Sequence, residues 1–237
     1  MTLHTFDSRQ CLPELMDRPD IDPAAHREAL ADLARINRLS FSAAHLWRFL
    51  RPLAQSRRDR PLRVLDVATG GGDVPIQLSH KAKQAGLACS WHACDISSTA
   101  LDVAKDRAER LGAEIEFFPH DILTSPLPDR YDVVMCSLFM HHLADEEAVR
   151  VLSHMAAAAT ARVLVNDLER SATGYALAWI GTRMLSDSDV VHYDGPVSVR
   201  AAFRPHEARR VAAEAGLSRI TVSRCWPFRF LLAGTPS

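Results

Sequence analysis

A short apolar run in this chain ends in an acid and passes directly into three consecutive glycines, which leaves few folds open to it. Residues 64–73 read VLDVATGGGD, with Asp66 near the end of the run and Gly70 opening the glycine cluster. A short apolar run bounded by glycine is typical of a buried parallel strand. Because glycine lacks a Cβ atom, the chain can turn sharply there and approach a ligand closely. The stretch predicts a strand that carries a binding loop at its end.

Asp66 narrows the class of ligand that this loop accepts. A dinucleotide site needs G-x-G-x-x-G at the start of a helix, and Pro75 stands where the third glycine belongs. A phosphate-binding P-loop needs Gly-Lys-Ser/Thr, and the loop has no lysine. A carboxylate before the glycines is suited instead to a cationic amino-acid group, since opposite charges attract.

Later segments repeat the pattern of an apolar run that ends in an acid, as expected of further parallel strands. Asp95, Asp121 and Asp167 close three of these runs. In a doubly wound sheet such strand ends meet beside the first glycine loop. Asp95 is therefore placed to accept hydrogen bonds from ribose hydroxyls, and Asp121 to accept one from the exocyclic amine of adenine. Ile96 and Ile122, which follow them, are placed to pack on the adenine ring.

The loop and the order of these segments resemble the class I S-adenosylmethionine-dependent methyltransferases, in particular the small-molecule group of quinone-biosynthetic and natural-product enzymes. The family's D-x-G-x-G-x-G loop corresponds here to Asp66-x-Ala68-x-Gly70-x-Gly72. Alanine replaces the first glycine, which still permits close approach if its φ is negative. The resemblance covers about residues 60–230.

This resemblance implies an α/β, Rossmann-like, doubly wound fold with a seven-stranded, mostly parallel sheet. It also implies that S-adenosyl-L-methionine binds at the carboxyl ends of the strands, donates a methyl group and leaves as S-adenosyl-L-homocysteine. The residues predicted to bind this cofactor are Asp66, Ala68, Thr69, Gly70, Gly72, Asp95, Ile96, Asp121, Ile122 and Ser137.

The chain is predicted to consist of a helical N-terminal cap, residues 1–60, and a cofactor-binding methyltransferase domain, residues 61–237. In the cap, Asp22 followed by Pro23 marks a helix start, with the aspartate as N-cap. A second helix is predicted from about Ser42 to Arg51.

Residues 171–204 interrupt the alternation of strands and helices after the fifth strand. The pattern predicts a helix from Thr173 to Leu185, then loops at Ser186–Asp189 and at Asp194–Pro196. An insertion at this edge of the sheet is interpreted as a lid over the substrate. A packing helix with a surface loop is the alternative.

His141 and His142 follow the fourth strand and are the histidines placed to act as a general base. An imidazole with a pKa of about 6.5 can take the proton of a phenol, whose pKa is about 10. We favour His142, because related quinol O-methyltransferases carry a histidine at the matching place. Their two metal-binding glutamates correspond to Leu138 and His141, so no metal is predicted. In the alternative, both histidines merely begin a helix.

Three lid residues, Trp179, Tyr193 and Arg200, are candidates for contacts with a small aromatic acceptor. Aromatic residues at helical spacing are also common in a core, which is the alternative for the first two. Asp167 and Arg170 are further candidates for acceptor contacts, with an ordinary surface pair as the alternative.

Composition excludes several classes of partner. The formal net charge of -1 shows no basic excess of the kind that nucleic-acid binding requires. The five cysteines form no C-x-x-C pair, so neither a zinc site nor a disulfide framework is indicated. No leader sequence is visible at the start, and no apolar stretch is long enough to span a membrane. A cytoplasmic protein, monomeric or homodimeric, is expected.

The sequence thus predicts an S-adenosylmethionine-dependent methyltransferase that acts on a small phenolic or quinol-like acceptor. O-methylation is favoured and C-methylation is second. A non-catalytic S-adenosylmethionine-binding partner of another protein is one alternative. An NAD(P)-dependent oxidoreductase is another, although the third glycine and a Tyr-x-x-x-Lys pair are missing.

Overall fold

The computed structural model describes residues 6–18, 20–57 and 59–237, within which the chain forms eight α-helices and seven β-strands. The predicted lack of a leader falls partly on residues 1–5, outside these ranges. The helices are α1 (Pro23–Leu39), α2 (Ser42–Ser56), α3 (Asp73–Gln84), α4 (Ser98–Leu111), α5 (Asp145–Ala158), α6 (Ala172–Leu185), α7 (Asp189–Ala201) and α8 (Pro205–Glu214). The strands are β1 (Leu62–Val67), β2 (Cys89–Asp95), β3 (Ile115–Pro119), β4 (Tyr131–Ser137), β5 (Ala159–Leu168), β6 (Leu217–Cys225) and β7 (Arg229–Pro236).

The described strands form one sheet in the order β3-β2-β1-β4-β5-β7-β6. Strands β1 to β5 are parallel, and β6 and β7 form an antiparallel hairpin beside β5. The predicted doubly wound, mostly parallel sheet is therefore confirmed. The strand order reverses between β1 and β4, and at such a switch point the carboxyl ends of the strands open a crevice for ligands.

Helices cover both faces of the sheet, as a parallel sheet requires because both of its faces are apolar. Met155 of α5 and Val211 of α8 are buried on one face. Leu50 of α2 and Leu78 of α3 are buried on the other. Each such side chain contributes roughly 1.5–3 kcal/mol when it leaves water. Every described helix is too short or too polar to cross a lipid bilayer.

The amino-terminal helices begin where the sequence predicts, but the second extends further. The carboxylate of Asp22 caps α1 by accepting a backbone hydrogen bond of 3.0 Å from the first turn. Helix α2 passes the predicted end at Arg51, continues through Pro52 and stops at Ser56. Ala54 in this added turn is buried in the core, so tertiary packing offsets the hydrogen bond that proline cannot donate.

The predicted lid is a pair of helices, α6 and α7. Helix α6 starts at Ala172, one residue before the predicted start. The loop predicted at Asp194–Pro196 is wrong, because these residues lie inside α7. The carboxylate of Asp194 accepts hydrogen bonds from the backbone N–H groups of Leu15, at 2.7 Å, and Met16, at 3.0 Å. Aspartate favours turns, but here Asp194 anchors the amino-terminal segment to α7.

Candidate active site

The glycine loop after β1 enters the left-handed backbone region, with φ of +52° at Ala68, +53° at Gly70 and +71° at Gly72. Ala68 does not have the negative φ that is the condition for close approach by an alanine. The left-handed conformation costs an L-residue about 1–2 kcal/mol, and two hydrogen bonds to β2 hold the turn in place. The N–H of Thr69 donates to the carbonyl of Cys94 at 3.0 Å, and the N–H of Gly70 donates to the carboxylate of Asp95 at 2.7 Å.

Two glycines of this loop lie close to different helices. A Cβ atom at Gly72 would lie 2.9 Å from the Cβ of Ala104, so this glycine allows α4 to approach the loop. A Cβ atom at Gly70 would meet only Leu30 of α1 within ordinary contact distance, at 3.7 Å. Leu30 of α1 therefore lies next to the loop at Gly70.

Asp66 lies under the loop and is buried. Its Oδ2 accepts a hydrogen bond of 2.7 Å from the hydroxyl of Thr69. Burial raises the pKa of Asp66 to about 8, and the charges of Asp73 and Asp95 add to the shift. Among the described residues, no cation contributes to the pKa of this carboxyl group by favouring its ionised form.

Asp95 ends β2 beside the loop, as the sequence predicts. Its carboxylate accepts hydrogen bonds from the N–H groups of Gly70, at 2.7 Å, and Ser97, at 2.9 Å. Burial raises the pKa of Asp95, against the lowering effect of these hydrogen bonds. Ile96 follows it and is 72% exposed, so its side chain is free to cover a ligand.

Asp121 and Ile122 lie near the same edge of the sheet, two and three residues past β3. Asp121 caps a turn, because its Oδ1 accepts a hydrogen bond of 2.9 Å from the N–H of Leu123. Ile122 is buried in the core, and its carbonyl accepts a hydrogen bond of 2.8 Å from His154. Their contacts with adenine stay predictions.

Three buried oxygen atoms around the loop lack hydrogen-bond partners within the described residues: Oδ1 of Asp66, Oδ2 of Asp73 and Oγ of Ser137. Buried polar atoms are normally satisfied, and a group left unsatisfied costs about 1–3 kcal/mol. Two of the three are carboxylate oxygens, which require donors. The surroundings of the loop therefore fit a ligand that carries a cationic amine, as S-adenosylmethionine does.

His141 forms a buried pair with Asp167 at the next strand ends. It lies in a short 3₁₀ helix, Met140–His142, directly after β4, while Asp167 lies in β5. The two oxygens of Asp167 bind Nδ1 of His141, at 2.7 Å, and its backbone N–H, at 3.1 Å. Although burial opposes ionisation, the interaction with His141 holds the pKa of Asp167 below its ordinary value. The carboxylate fixes the ring, whose Nε2 lies 3.7 Å from Oε1 of Glu14.

His142 has a different partner. Its Nδ1 lies 2.7 Å from Oδ2 of Asp17, a residue of the amino-terminal segment. Burial alone would lower the pKa of His142, but the hydrogen bond to Asp17 and the charge of Glu14 raise it to about 9. His142 is therefore protonated near neutral pH and is a hydrogen-bond donor there.

Glu14 brings a third group to the histidines. Its Oε1 lies 3.7 Å from Nε2 of His141 and 3.9 Å from Nδ1 of His142, and it accepts a hydrogen bond of 2.6 Å from Ser198. One donor atom of each of Glu14, His141 and His142 lies within 4.8 Å of the others, which is a spacing that can hold a divalent metal ion. The protonated His142 already offsets the carboxylates. We therefore interpret the cluster as histidine–carboxylate pairs, and the lack of a metal stays a prediction.

A cavity of about 220 Å³ opens beside these groups. Its lining comprises Cys11, Leu12, Pro13, Glu14, Asp17, His141, His142 and Ala201. Glu14 and Asp17 were missed by the sequence prediction because they lie far from the strand ends in the chain. The sequence carried no spacing signal that could join them to the histidines.

A second cavity, of about 420 Å³, lies between the two lid helices. Its lining comprises Tyr175, Trp179, Arg183, Asp189, His192, Tyr193, Pro196, Val197 and Arg200. The structure thus brings together the three predicted acceptor contacts, Trp179, Tyr193 and Arg200. Arg170 does not join them, because it is fully buried and pairs with Glu207 at 2.6 Å. The surface pair predicted for Asp167 and Arg170 is wrong, because both side chains are buried and have other partners. An acceptor contact by either residue stays a prediction.

Comparison with known proteins finds methyltransferases. Residues 64–162 match the family described as "Methyltransferase domain". The chain is 34% identical over 114 residues to the demethylmenaquinone methyltransferase of Thermus thermophilus, covering 47% of this chain and 50% of that protein. The chain spans about half the length of the curated relatives it matches.

Solved structures share the fold over most of the chain. A SAM-dependent methyltransferase from Aquifex aeolicus superimposes with a TM-score of 0.62 at 18% identity, over 92% of this chain and 100% of that one. The magnesium protoporphyrin IX methyltransferase from Synechocystis with bound SAM superimposes with a TM-score of 0.57 at 17% identity, over 94% and 88%. At these identities the likeness shows the fold.

Proposed function

We propose that this chain, which has the class I S-adenosylmethionine-dependent methyltransferase fold and a methyltransferase domain at residues 64–162, methylates a small molecule. The observation that carries the proposal is the buried His141–Asp167 pair, which lies on strand ends adjacent to the glycine loop. A cofactor loop and a proton acceptor at the same edge of a sheet are the two parts that methyl transfer to a hydroxyl group requires.

The cofactor is proposed to lie along the loop. Asp95 accepts from the ribose hydroxyls, while Ile96, Asp121 and Ile122 contact adenine. The amino-acid end lies beside Asp66, whose partnerless oxygen supports this placement. The remaining contacts come from the loop and from β4, namely from Ala68, Thr69, Gly70, Gly72 and Ser137.

S-adenosylmethionine supplies a methyl group that is already activated on a sulfonium, so the protein's main work is to orient the acceptor and exclude water. We propose that His141 rather than His142 is the base. Asp167 holds Nδ1 of His141, which leaves Nε2 as the acceptor atom, as in other histidine–carboxylate pairs. The pairing of His142 with Asp17 supports a donor role, in which His142 orients the acceptor oxygen.

The acceptor is proposed to be a small phenolic or quinol-like molecule, with O-methylation favoured over C-methylation. The proposed base, His141, lines the cavity of about 220 Å³ and serves either reaction, since a phenolate is nucleophilic at oxygen and at its ring carbons. The aromatic lining of the lid cavity, with Trp179 and Tyr193, supports an aromatic acceptor.

Titration calorimetry of the purified protein with S-adenosylmethionine, S-adenosylhomocysteine and NADH tests the cofactor assignment. We expect both adenosyl ligands to bind and NADH not to bind. A screen of phenols with S-adenosylmethionine, read by mass spectrometry, then tests transfer. Binding of NADH alone would refute the proposal that S-adenosylmethionine is the cofactor. Binding of the adenosyl ligands without transfer to any phenol would refute the acceptor class.

Cofactor binding is expected to release a proton from Asp66. In the free protein its pKa is about 8, so this carboxyl is mostly protonated at pH 7. An adjacent cationic amine favours the ionised form, so the affinity for S-adenosylhomocysteine should rise about fivefold from pH 7 to pH 8 and level off above pH 8. Calorimetry at pH 7 in two buffers of different ionisation enthalpy counts the released protons.

Asp66→Asn is the control for this measurement, because it preserves the shape of the side chain and cannot release a proton. Proton release that persists in this variant would assign it to another carboxyl of the loop, such as Asp73 or Asp95, both of which burial also shifts upward in pKa.

A further inference from the structure

The cavity between α6 and α7 has an unusual charge composition. Its described lining includes two arginines, Arg183 and Arg200, and a single acidic residue, Asp189. Neither arginine forms an ion pair with Asp189 or with any other carboxylate in the part of the chain that the structure describes. The buried Arg170, by comparison, pairs with Glu207, whereas the buried Arg229 donates only to the neutral side chains of Ser42 and Asn37.

Arg200 is the more enclosed of the two arginines. Its Nε is shielded from solvent and has no hydrogen-bond partner among the described residues. Its Nη2 donates a hydrogen bond of 3.2 Å to the hydroxyl of Tyr175, and its guanidinium lies 4.7 Å from the centre of that ring. A neutral hydroxyl and an aromatic face do not neutralise a guanidinium, so the half-buried Arg200 keeps a positive charge that an anion can pair with. The guanidinium is therefore preorganised for an anion.

Arg183 contributes a second positive charge at the cavity mouth. Its guanidinium lies 4.2 Å from the centre of the Trp179 ring, and it donates a hydrogen bond of 3.1 Å to the carbonyl of the same residue. His192, in the same lining, uses its Nε2 in a contact of 2.7 Å with the carbonyl of Ser186. These contacts hold the cationic and polar groups in place without filling the space between the helices.

Aromatic side chains form the apolar walls. Trp179 on α6 is 47% exposed, and Tyr193 on α7 is 45% exposed, so each leaves a large ring surface uncovered. The volume of about 420 Å³ falls in the usual range for small-molecule sites. Aromatic walls and a guanidinium together match a planar ring that carries a carboxylate, since arginine binds carboxylates through two parallel hydrogen bonds.

The lid cavity and the histidine cavity both have lining residues on α7. Arg200 lines the lid cavity, and Ala201, the next residue, lines the cavity beside His141 and His142. On the opposite side of the same helix, the hydroxyl of Ser198 donates to Glu14 at 2.6 Å. One helix therefore borders both the aromatic cavity and the proposed base.

We propose that the methyl acceptor is a phenolic acid whose carboxylate binds Arg200, whose ring lies between Trp179 and Tyr193, and whose hydroxyl gives its proton to the base and receives the methyl group. This proposal rests on the proposed function and names the substrate class of that site. Arg183 adds attraction for the same anion from the cavity mouth. A neutral phenol of equal size lacks the group that Arg200 requires.

The test compares acids with their amides, which have nearly the same shape and no charge. The probes are the pairs salicylate and salicylamide, hydroxybenzoate and hydroxybenzamide, and hydroxynaphthoate and hydroxynaphthamide. Their binding is followed by calorimetry, with and without S-adenosylhomocysteine. At least one acid should bind about 10- to 100-fold more tightly than its amide, as a charge-assisted, two-point hydrogen bond provides.

Arg200→Met should abolish this preference, and Arg200→Lys should retain part of it, because lysine keeps the charge and loses the planar fork. Arg150→Met, which removes an exposed arginine from α5, is the matched control and should leave the preference intact. Affinity for S-adenosylhomocysteine should stay unchanged in all three variants. If Arg200→Met does not fold, Arg200→Lys and Arg183→Met supply the comparison.

Equal binding of acids and amides, failure of every acid to bind, or a preference that survives in Arg200→Met would overturn this inference. These outcomes differ from failure of the proposed function, which would appear as a wild-type protein that binds no S-adenosylhomocysteine. Binding of acids that never become methylated would also overturn the assignment of the acid as acceptor.

Discussion

Replacing His141 by alanine is expected to lower kcat for methyl transfer about 100- to 10,000-fold, the usual contribution of a general base. The affinity for S-adenosylhomocysteine should stay unchanged. Nδ1 of this buried imidazole is bonded to Asp167 at 2.7 Å, and its Nε2 makes no hydrogen bond within the described residues. The substitution removes the proposed proton acceptor and no group assigned to the cofactor. Single-turnover rates and ligand titrations measure the two quantities separately.

His142→Gln is the matched control for this prediction. The pKa of about 9 keeps His142 protonated near neutral pH. The His142→Gln substitution is therefore expected to lower kcat much less than His141→Ala does. Asp167→Asn should lower kcat as well, because the neutral amide no longer fixes the tautomer of His141. A larger loss of kcat in His142→Gln than in His141→Ala would identify His142 as the base. Loss of S-adenosylhomocysteine binding in His141→Ala would indicate a structural role instead.

Replacing Asp95 by alanine is expected to weaken S-adenosylhomocysteine binding about 100-fold or more. Each hydrogen bond to a charged acceptor contributes about 1.5–3 kcal/mol, and the proposed ribose contact has two. The same carboxylate also holds the N–H groups of Gly70 and Ser97, so its loss loosens the loop itself. Titration calorimetry measures the affinity, and thermal unfolding without ligand checks that the variant is folded.

Asp102→Ala removes an exposed acid from α4 and is the matched control, for which no change in affinity is expected. Asp95→Asn should give an intermediate loss, since an amide oxygen can still accept one hydrogen bond. Unchanged affinity in a folded Asp95→Ala protein would remove Asp95 from the ribose site and return it to a purely loop-capping role.

Local patterns predicted the parts of the site that lie at strand ends. Asp66, Asp95 and Asp167 each follow an apolar run, and parallel strands bring such ends to one edge of the sheet. The same patterns failed at Asp194–Pro196, where local turn residues lie within α7. Two backbone hydrogen bonds from the amino-terminal segment outweigh the local preference there, and neither partner is near in sequence.

The roles of the two histidines depended on contacts that no local pattern contains. The partner of His142 is 125 residues away along the chain, at Asp17, and the partner of His141 is 26 residues away, at Asp167. The sequence favoured His142 as the base by analogy. The hydrogen bonds favour His141, because a histidine held in its protonated form cannot accept a proton.

By itself, the sequence determined the α/β class of the fold, the glycine loop and the order of the acidic strand ends. These depend on backbone freedom and on short-range alternation of apolar residues, which are local properties. Only the tertiary structure decided which carboxylate pairs with which histidine, and that Trp179, Tyr193 and Arg200 share one cavity. Charge pairing and cavity shape arise from side chains that are distant in the chain, so they exist only once the helices have packed on the sheet.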